Sequence, residues 1–442
     1  MKITSSYGVE LRKQNIPIRQ TLDVYRSAVS YLTEIYAQVW EELERIPETK
    51  KRFNEAEHLI HTTKKNQARF SFDLHFPKMP SYLRRAAIQH ALGSVSSYKT
   101  RLGLWKKTSQ IEGKPRLVYE NHAMPVFYRD VMYREDEAGK DAAYLKLYDG
   151  HDWKWFRVWL SHTDMEYLRK NWAGKKASAP TLEKRRRKYF LRFSYTEDVI
   201  LTKTPIKEQI ICSVDLGINT DAVCTIMRAD GTVLGRKFIN FPSEKDQMYR
   251  VLGRISRFQR EHGSGQVQSR WNYAKRLNME LSRKVASAIT TYAQNSHADV
   301  IVFEYLEMKW KVTGKKRQKL HLWRKRDIQK LCEHQVHRIG VRVSRVCAWN
   351  TSRLAYDGTG EVVRDSENHS LCTFTTGKRY HCDLSAAYNI GSRYFIRELL
   401  KPLSATIRSS LEAKVPSVKR RTSCVYADLL LLSEELSRIQ IA

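Results

Sequence analysis

The stretch IICSVDLG, residues 210–217, sets the fold of the second half of the chain. Its apolar run, which ends in Asp215 and a glycine, is typical of a strand buried on both faces of a sheet. In CTIMRADGTVLGRKFI, residues 224–239, the central Asp-Gly predicts a hairpin turn. ADVIVFEYLEM, residues 298–308, predicts a second buried strand. Together these stretches indicate an α/β domain.

Further elements extend this pattern towards the end of the chain. Helical spacing predicts two long helices, at about 244–262 and 267–296, between the two buried strands. A helix near 327–339 should lead to the strand VRVSRV at 341–346. The stretch DLSAAYNIGSRYFIRELL, residues 383–400, has the spacing of a final helix. The expected order is therefore strand, hairpin, strand and helix.

Three acids stand at the ends of these elements. Asp215 and Glu304 each end an apolar strand, and Asp383 opens the final helix. Buried carboxylates are costly unless something compensates them, and a divalent metal ion is the usual compensation for several of them. The order of elements is that of the RNase H-like fold, in which acids from separate elements meet at one sheet edge. There, two Mg²⁺ ions about 4 Å apart activate water for attack on a phosphodiester.

Each acid also has an ordinary structural explanation. Asp215 could belong to a turn, Glu304 could be a surface acid, and Asp383 could satisfy amide groups at the helix start. Singly, these explanations are at least as good as catalysis. The order of the three acids, beside the strongly basic composition, favours the metal site. Asp221 and Glu307 lie nearby and are second choices.

The composition indicates a polyanionic partner. The 442 residues include 78 Lys and Arg against 47 Asp and Glu, which gives a formal net charge of +31. This charge favours nucleic acid over a membrane surface, for which no basic amphipathic helix stands out. The chain shows neither a transmembrane run nor a secretory signal, and its seven cysteines form no disulfide framework, so we expect a cytoplasmic protein. The sequence also lacks the signatures of phosphate-binding loops, serine nucleophile elbows and zinc deaminases.

The first half of the chain has a different pattern. Residues 18–113 show helical spacing, whereas residues 1–17 and 114–205 are β-rich and predict a small barrel. The predicted strands in the β-rich part are RLVYE (116–120), PVFYRDVMY (125–133), AAYLKLYDG (142–150), WKWFRVWL (153–160) and KYFLRFSY (188–195).

Two basic segments are candidate nucleic-acid contacts. We expect the first to be helical and to interrupt the β-rich module, whose Trp and Tyr residues suit base stacking. A solvated surface is the ordinary explanation for such a run. The second segment is a loop after the strand at 298–308. The residues are Lys184, Arg185, Arg186, Arg187 and Lys188 in the first segment, and Lys315, Lys316, Arg317, Arg324, Lys325 and Arg326 in the second.

Three motifs carry a family resemblance: SVDLGINTDAVCTI (213–226), VIVFEYLEM (300–308) and CDLSAAYNIG (382–391). They resemble the RuvC motifs of TnpB, the RNA-guided nuclease of insertion sequences, and of the compact type V CRISPR effectors. The resemblance is close over about 209–400 and is limited to the arrangement elsewhere. It implies a two-lobed protein with an α/β RNase H-like (RuvC) nuclease domain at 206–345 and 380–442, an α-helical recognition lobe at 18–113, and a wedge-like β-barrel at 1–17 and 114–205.

The resemblance also implies an activity. Asp215, Glu304 and Asp383 would be catalytic acids that bind two Mg²⁺ ions, which Mn²⁺ could replace. A guide RNA would pair with target double-stranded DNA beside a short flanking motif, and the single RuvC site would cleave the DNA. Two alternatives stay open: a guide-independent, structure-selective nuclease of the resolvase type, and an RNA-guided DNA-binding regulator with weak catalysis. The sequence leaves the oligomeric state, monomer or dimer, undecided.

Residues 346–379 depart from the family pattern, which usually has a zinc ribbon with two Cys-x-x-Cys pairs. The sequence contains no such pair, so we expect a degenerate ribbon-like insert that binds target nucleic acid without zinc. Cys347, Cys372 and Cys382 are weak candidate zinc ligands. A hairpin turn is expected at 357–360. Four aromatic residues are expected to hold the insert by packing: Trp349, Tyr356, Phe374 and Tyr380.

Overall fold

The computed structural model describes residues 1–12, 15–107, 113–119, 122–136, 141–263, 267–305 and 324–441. The chain divides into two units, Lys2–Glu197 and Asp198–Ala442, the latter together with Met1. We call them the N-terminal and the C-terminal unit. Each unit is built around hydrophobic clusters of its own.

The N-terminal unit combines helices with two three-stranded sheets. Its helices are α1 Ile18–Gln38, α2 Trp40–Glu44, α3 Thr49–His58, α4 Phe72–His75, α5 Ser81–Lys107 and α6 His162–Asn171. Its strands are β1 Lys2–Glu10, β2 Tyr133–Glu135, β3 Ala142–Tyr148, β4 Trp153–Trp159, β5 Thr181–Arg185 and β6 Lys188–Asp198. The strand orders are β1-β6-β5 and β2-β3-β4.

One hydrophobic core joins the helices and the sheets of the N-terminal unit. Tyr25 of α1, Ile88 of α5 and Leu145 of β3 are all fully buried in it. The segments predicted as separate helical and β-rich modules therefore share a core. A bridge between Leu11 and Leu160 joins the two sheets. Closure of these sheets into a barrel stays a prediction.

Three of the five stretches predicted as strands in the β-rich part form strands of more than five residues, β3, β4 and β6. The described part of RLVYE, residues 116–119, has no regular structure. PVFYRDVMY makes a bridge between Val126 and Thr181, then turns before β2. Alternating apolar residues become a strand only where a neighbouring strand pairs with the backbone along the whole stretch.

The basic run at 184–188 is a β-hairpin, and the prediction of a helix was wrong. β5 and β6 pair antiparallel, with Arg185 opposite Lys188 at the closing end. Arg186 in the turn has φ of 56°, in the left-handed region. Buried residues alternate with half-buried ones from Leu191 to Tyr195 of β6, so burial of one sheet face outweighs the run of charge.

The C-terminal unit is built on a five-stranded mixed sheet. Its strands are β7 Ile210–Asp215, β8 Ala222–Arg228, β9 Val233–Ile239, β10 Val300–Tyr305 and β11 Arg342–Cys347. They lie in the order β11-β10-β7-β8-β9. β8 is antiparallel to β7 and β9, and β10 is parallel to β7 and β11. The predicted strands and the hairpin are confirmed, in the order expected of an RNase H-like domain.

Helices cover both faces of this sheet. They are α7 Pro242–His262, α8 Gln268–Asn295, α9 Lys325–His337, α10 Cys382–Leu400, α11 Ala405–Lys414 and α12 Tyr426–Ile441. Successive residues of a strand point to opposite faces of the sheet, so Ile211 and Val214, three positions apart, lie on different faces. Ile211 packs with α10, whereas Val214 packs with α8 and α9. α10 lies so close to the sheet that a Cβ on Gly391 would come within 2.6 Å of Met227 Sδ. A side chain at this position would have to displace Met227, so glycine permits the close approach of α10 to the sheet.

The insert contains a small sheet that leads directly into α10. Its strands are β12 Val363–Arg364, β13 Leu371–Thr373 and β14 Arg379–His381. The Tyr356 ring lies 5.7 Å from Phe374 and 5.0 Å from Tyr380, which confirms the predicted packing of these three residues. The prediction for Trp349 was wrong, because this residue is 65% exposed. Its backbone carbonyl, rather than its ring, is held, by Arg393 Nη1 at 2.7 Å.

Two of the three weak candidate zinc ligands lie together where the insert meets α10. Cys372 and Cys382 lie with Phe374 in a small buried cluster, and burial raises the pKa of both thiols. Cys347 ends β11, and all three cysteines are free thiols. The predicted turn at 357–360 is confirmed, since an antiparallel bridge between Leu354 and Glu361 closes it.

Candidate active site

Asp215 and Glu304 lie at the same edge of the central sheet. β7 and β10 are parallel neighbours, with Val214 opposite Phe303. The next residue on each strand is the acid, so the register places Asp215 level with Glu304. Parallel strands end at the same edge of a sheet. Two carboxylates from distant parts of the chain therefore meet there.

Asp383 reaches this edge from the first turn of α10. Its Oδ2 lies 3.4 Å from the position that a Cβ would take on Gly217, two residues after Asp215. That Cβ would also lie 2.5 Å from the backbone oxygen of Thr220, so the loop accepts only glycine. Two strands and one helix thus bring the three predicted acids together, and we call this place the carboxylate edge.

Asp215 and Glu304 are buried, Asp383 is half-buried, and the three carboxylates lie close enough to repel one another. Burial raises the pKa of Asp215 well above its ordinary value, and the charges of Glu304 and Asp383 raise it further. Burial also raises the pKa of Glu304 and that of Asp383. Like charges in a poorly solvated place disfavour ionisation. A bound cation would relieve both the burial cost and the repulsion.

Glu304 has polar and positive neighbours that the sequence did not reveal. The Thr351 hydroxyl donates a hydrogen bond to Glu304 Oε1. This bond and the positive charges of Arg393 and Lys325 lower the pKa of Glu304, against the larger effect of burial. Lys325 is only 9% exposed, and burial lowers its pKa. It interacts with Glu304 instead of lying on the exposed loop that the sequence predicts.

The insert adds positive groups at the same place. Arg364 of β12 lowers the pKa of Asp215 and of Asp383, against the larger effect of burial. His381, the last residue of β14, also lowers the pKa of Asp383. Its Nδ1 is buried without a hydrogen-bond partner among the described residues. The segment from β12 to β14 therefore takes part in the electrostatics of the carboxylate edge.

A polar stripe on the buried helix α10 holds the segment that follows β11. Ser385 Oγ accepts a hydrogen bond from the backbone of this segment, and Asn389 Nδ2 donates to the Thr351 carbonyl at 3.0 Å. Arg393 donates to the Cys347 carbonyl at 2.8 Å. The four-residue spacing of these three polar residues in an apolar helix is the signal that could have revealed this role.

The donor set of the carboxylate edge suits a hard divalent cation. Carboxylate oxygens are the ligands that Mg²⁺ and Mn²⁺ prefer, and three acids with raised pKa values gain most from such an ion. In the described part of the chain, no three His, Cys, Asp or Glu side chains are close enough together to hold one ion. A pair of ions shared among three separate acids does not require that convergence.

The second-choice acid Asp221 has a structural role. Its Oδ2 accepts a hydrogen bond from Phe241 N at 2.8 Å, and its other oxygen pairs with Lys245 at 3.1 Å. Both contacts fix the start of α7 on the sheet. Asp221 is therefore engaged in contacts away from the three acids.

The second basic segment is described only at its end. Arg324 pairs with Asp327 at 2.5 Å, and Arg326 is exposed in the first turn of α9. The other residues singled out in this segment lie outside the described residues: Glu307, Lys315, Lys316 and Arg317.

The basic hairpin separates its charges into two groups. Arg185 pairs with Glu183 at 2.8 Å, and Lys188 pairs with Glu10 at 2.7 Å. The other three line a recess of about 460 Å³ beside the start of α1, together with a single carboxylate, Asp23. We call this place the cationic recess, and its cations are Arg19, Arg26, Lys184, Arg186 and Arg187. No sequence pattern predicted that α1 contributes to this recess.

The chain was compared with known families and curated proteins. A family model described as the Aq_aa04 family matches residues 5–149, which is less than half of the chain. Among curated proteins, none matches this chain. Among the described residues, no helix has the length and apolar character needed to cross a membrane.

Solved structures of RNA-guided nucleases are similar to this chain. The Cas12f1 chain from a complex with sgRNA and target DNA is 15% identical, with 88% of this chain and 98% of that chain covered and a TM-score of 0.32. The mini RNA-guided endonuclease CRISPR-Cas_phi3 is 12% identical, with 87% and 91% covered and a TM-score of 0.49. C2c1 of Alicyclobacillus acidoterrestris, in complex with single-guide RNA, is 10% identical, with 83% and 65% covered and a TM-score of 0.44. At these distances the likeness carries no functional conclusion.

Proposed function

We propose that the protein is an RNA-guided DNA endonuclease that cleaves phosphodiester bonds at the carboxylate edge. The observation that carries the proposal is the meeting of Asp215 and Glu304, both buried, with the half-buried Asp383, within motifs that resemble those of RuvC. Folding alone gives no reason to collect three like charges in a poorly solvated place, because each one destabilises the native state. A catalytic use of the three acids accounts for their cost.

The chain's own residues hold the acids in position. Mg²⁺ ions, or Mn²⁺ in their place, held by the three acids would supply the positive charge that phosphodiester hydrolysis requires. The Thr351 hydroxyl orients Glu304, and Asn389 of α10 holds Thr351 through its carbonyl. α10 therefore carries Asp383 and also orients the strand acid Glu304. One helix positions two of the three catalytic acids.

A guide RNA and a target double-stranded DNA are the partners that we propose. A net charge of +31 calls for a long polyanion, and the cationic recess offers five cations against one carboxylate for phosphate contacts. Contacts of this kind hold the backbone and carry no sequence information. Base pairing between guide and target would supply the specificity.

The test starts with the RNA that co-purifies when the protein is expressed with its native flanking DNA. A discrete RNA with a constant structured part and a variable end would define the guide. Duplex DNA that matches the variable end should then be cleaved in Mg²⁺ by the wild type and not by Asp215→Ala. Cleavage by this variant at the wild-type rate would contradict the catalytic assignment.

The same preparation separates the alternatives. Cleavage of branched DNA without any RNA, by the wild type and not by Asp215→Ala, would indicate a guide-independent nuclease of the resolvase type. RNA-programmed binding without cleavage in Mg²⁺ or Mn²⁺ would indicate a DNA-binding regulator. With either result, the three acids would still meet at the carboxylate edge, but the function proposed for the protein would change.

A further inference from the structure

A second recess lies beside the carboxylate edge and is lined in part by the loop that follows Asp215. Its volume is about 310 Å³. Helices α7, α8 and α9 supply an apolar floor, which includes Met248, Val285 and Ile328. Gly217 forms part of the wall. This is the same glycine against which Asp383 lies, so the recess and the acids share one loop.

The mouth of this recess exposes apolar and aromatic side chains. Tyr249 of α7 is 74% exposed, and Ile218 of the loop is 42% exposed. Both line the recess. Exposed aromatic residues at the mouth of an apolar cavity are typical of a binding surface, since their rings offer a large contact area at low entropic cost. The unliganded protein gains nothing from leaving them in water.

The rim offers groups that can read a planar, polar ligand. Asn219 and Asn278 stand on it, and each amide carries both a donor and an acceptor. Amide side chains of this kind pair with the edges of nucleobases. The volume lies at the lower end of the range for ligand pockets, about 300–1,000 Å³. A single flat group of the size of a base fits it, whereas a helix or a folded peptide does not.

We propose that this recess, the base recess, takes one unstacked nucleobase of the DNA strand at the carboxylate edge, with Tyr249 stacking on the base. The inference rests on the proposed nuclease function. A strand whose phosphate lies at the acids passes Gly217 and therefore passes the mouth of the base recess. A base held there anchors the strand next to the bond that is cut. It also prevents the phosphate from sliding away from the acids.

The base recess is tested by binding, without any cleavage. The full chain, in buffer with EDTA, is mixed with a short single-stranded DNA that contains one 5-iodouracil and is irradiated. We expect the crosslinked peptide to come from 242–262 and to contain Tyr249. Crosslinks confined to peptides that do not line the base recess would overturn the proposal.

An affinity comparison removes the dependence on one photochemical reaction. Wild-type protein should bind an oligonucleotide with bases about tenfold more tightly than the same backbone with abasic sites, because stacking on an aromatic residue is lost. Tyr249→Ala should remove most of this difference. Tyr273→Ala, an exposed tyrosine on α8 outside the base recess, is the matched control and should keep it. A difference that persists in Tyr249→Ala would overturn the inference.

Failure of this inference and failure of the proposed function give different results. If guided cleavage occurs while the crosslinks map elsewhere, the nuclease stands and the base recess is wrong. If the crosslink forms at Tyr249 while no DNA is cleaved under any guided condition, the base recess stands as a binding site and the nuclease is wrong.

Discussion

The carboxylate edge and the cationic recess would contact the same kind of polymer by opposite physical means. At the carboxylate edge, strand register and one helix fix three acids whose pKa values are raised by burial and, for Asp215 and Glu304, also by a neighbouring carboxylate. At the cationic recess, long side chains extend from α1 and from a hairpin turn into solvent. The first place depends on geometry and the second on charge. Each acid should therefore be irreplaceable, whereas the cations should act additively.

The largest effect is expected from single substitutions at the carboxylate edge. Asp215→Asn, Glu304→Gln and Asp383→Asn should each reduce cleavage by about 10³-fold or more, since several kcal/mol of transition-state stabilisation are lost. Single-turnover cleavage of a matched duplex measures this loss. Glu434→Gln, an exposed acid on α12 that pairs with Arg438, is the control and should cleave at the wild-type rate. A cleavage rate near that of the wild type in any of the three variants would contradict the catalytic role of the substituted acid.

The next effect concerns affinity at the cationic recess. Replacing Lys184, Arg186 and Arg187 together with Gln should weaken RNA binding by about 10- to 100-fold at moderate salt. The slope of log K against log salt concentration should fall by about two to three. Filter binding over a range of salt concentrations measures both quantities.

The same hairpin supplies a matched control for that experiment. Arg185→Gln combined with Lys188→Gln removes two cations that already pair with Glu183 and Glu10. Binding should change by less than about twofold, since exposed ion pairs contribute little. Equal losses in both variants would show that total charge alone matters and that the cationic recess has no special role.

A smaller effect should appear in the stability of the metal-free protein. A folded-state pKa above the unfolded-state value means that stability is greatest below the ordinary Asp pKa and falls as pH rises through the raised pKa. Asp215→Asn removes this loss. At neutral pH in EDTA we expect its melting temperature to exceed the wild type's by about 2–4 °C, which is about 1 kcal/mol for a domain of this size.

The same experiment also measures how the melting temperature depends on pH and on Mg²⁺. The difference between variant and wild type should shrink as pH is lowered towards the ordinary Asp range, because the carboxyl that is already neutral in the folded state then becomes protonated in the unfolded state as well. Mg²⁺ should raise the melting temperature of the wild type and not that of Asp215→Asn. A pH-independent difference would indicate that repulsion at the carboxylate edge is not its cause.

The smallest effect is expected at the cationic recess when charge is kept and shape is changed. Arg186→Lys with Arg187→Lys should bind RNA within about twofold of the wild type, since exposed phosphate contacts need positive charge more than a fixed geometry. Asp215→Glu keeps its charge as well, but lengthens the side chain by one methylene and should cleave as poorly as Asp215→Asn. Parallel binding and cleavage measurements give the two values to compare.

The two places also differ in how far the sequence predicts them. Asp215, Glu304 and Asp383 end or begin regular elements, and period, burial and turn chemistry locate such ends from local sequence. The cationic recess joins Arg19 of α1 to a hairpin more than 160 positions away in the sequence. No local sequence pattern indicates that these residues are close in space. The basic hairpin was predicted as a helix because its charges hide the alternation of the flanking strands.

The insert shows the same limit on prediction. Tyr356, Phe374 and Tyr380 were predicted to pack together, because aromatic residues in a polar loop need partners. Trp349, predicted to join the same cluster, is exposed, and the contact of its carbonyl with Arg393 comes from a helix distant in the sequence. The roles of Thr351 and Arg364 also depend on contacts that only the fold creates.

β14 continues directly into α10 without a loop between them. His381 ends the small sheet, Cys382 begins the helix, and the next residue is the third acid. Tyr356 lies 5.2 Å from Tyr388 of the same helix, so its ring joins the insert to α10. The insert is therefore not an exchangeable module. A graft of a relative's zinc ribbon at 346–379 would need to bring a matching helix start with it.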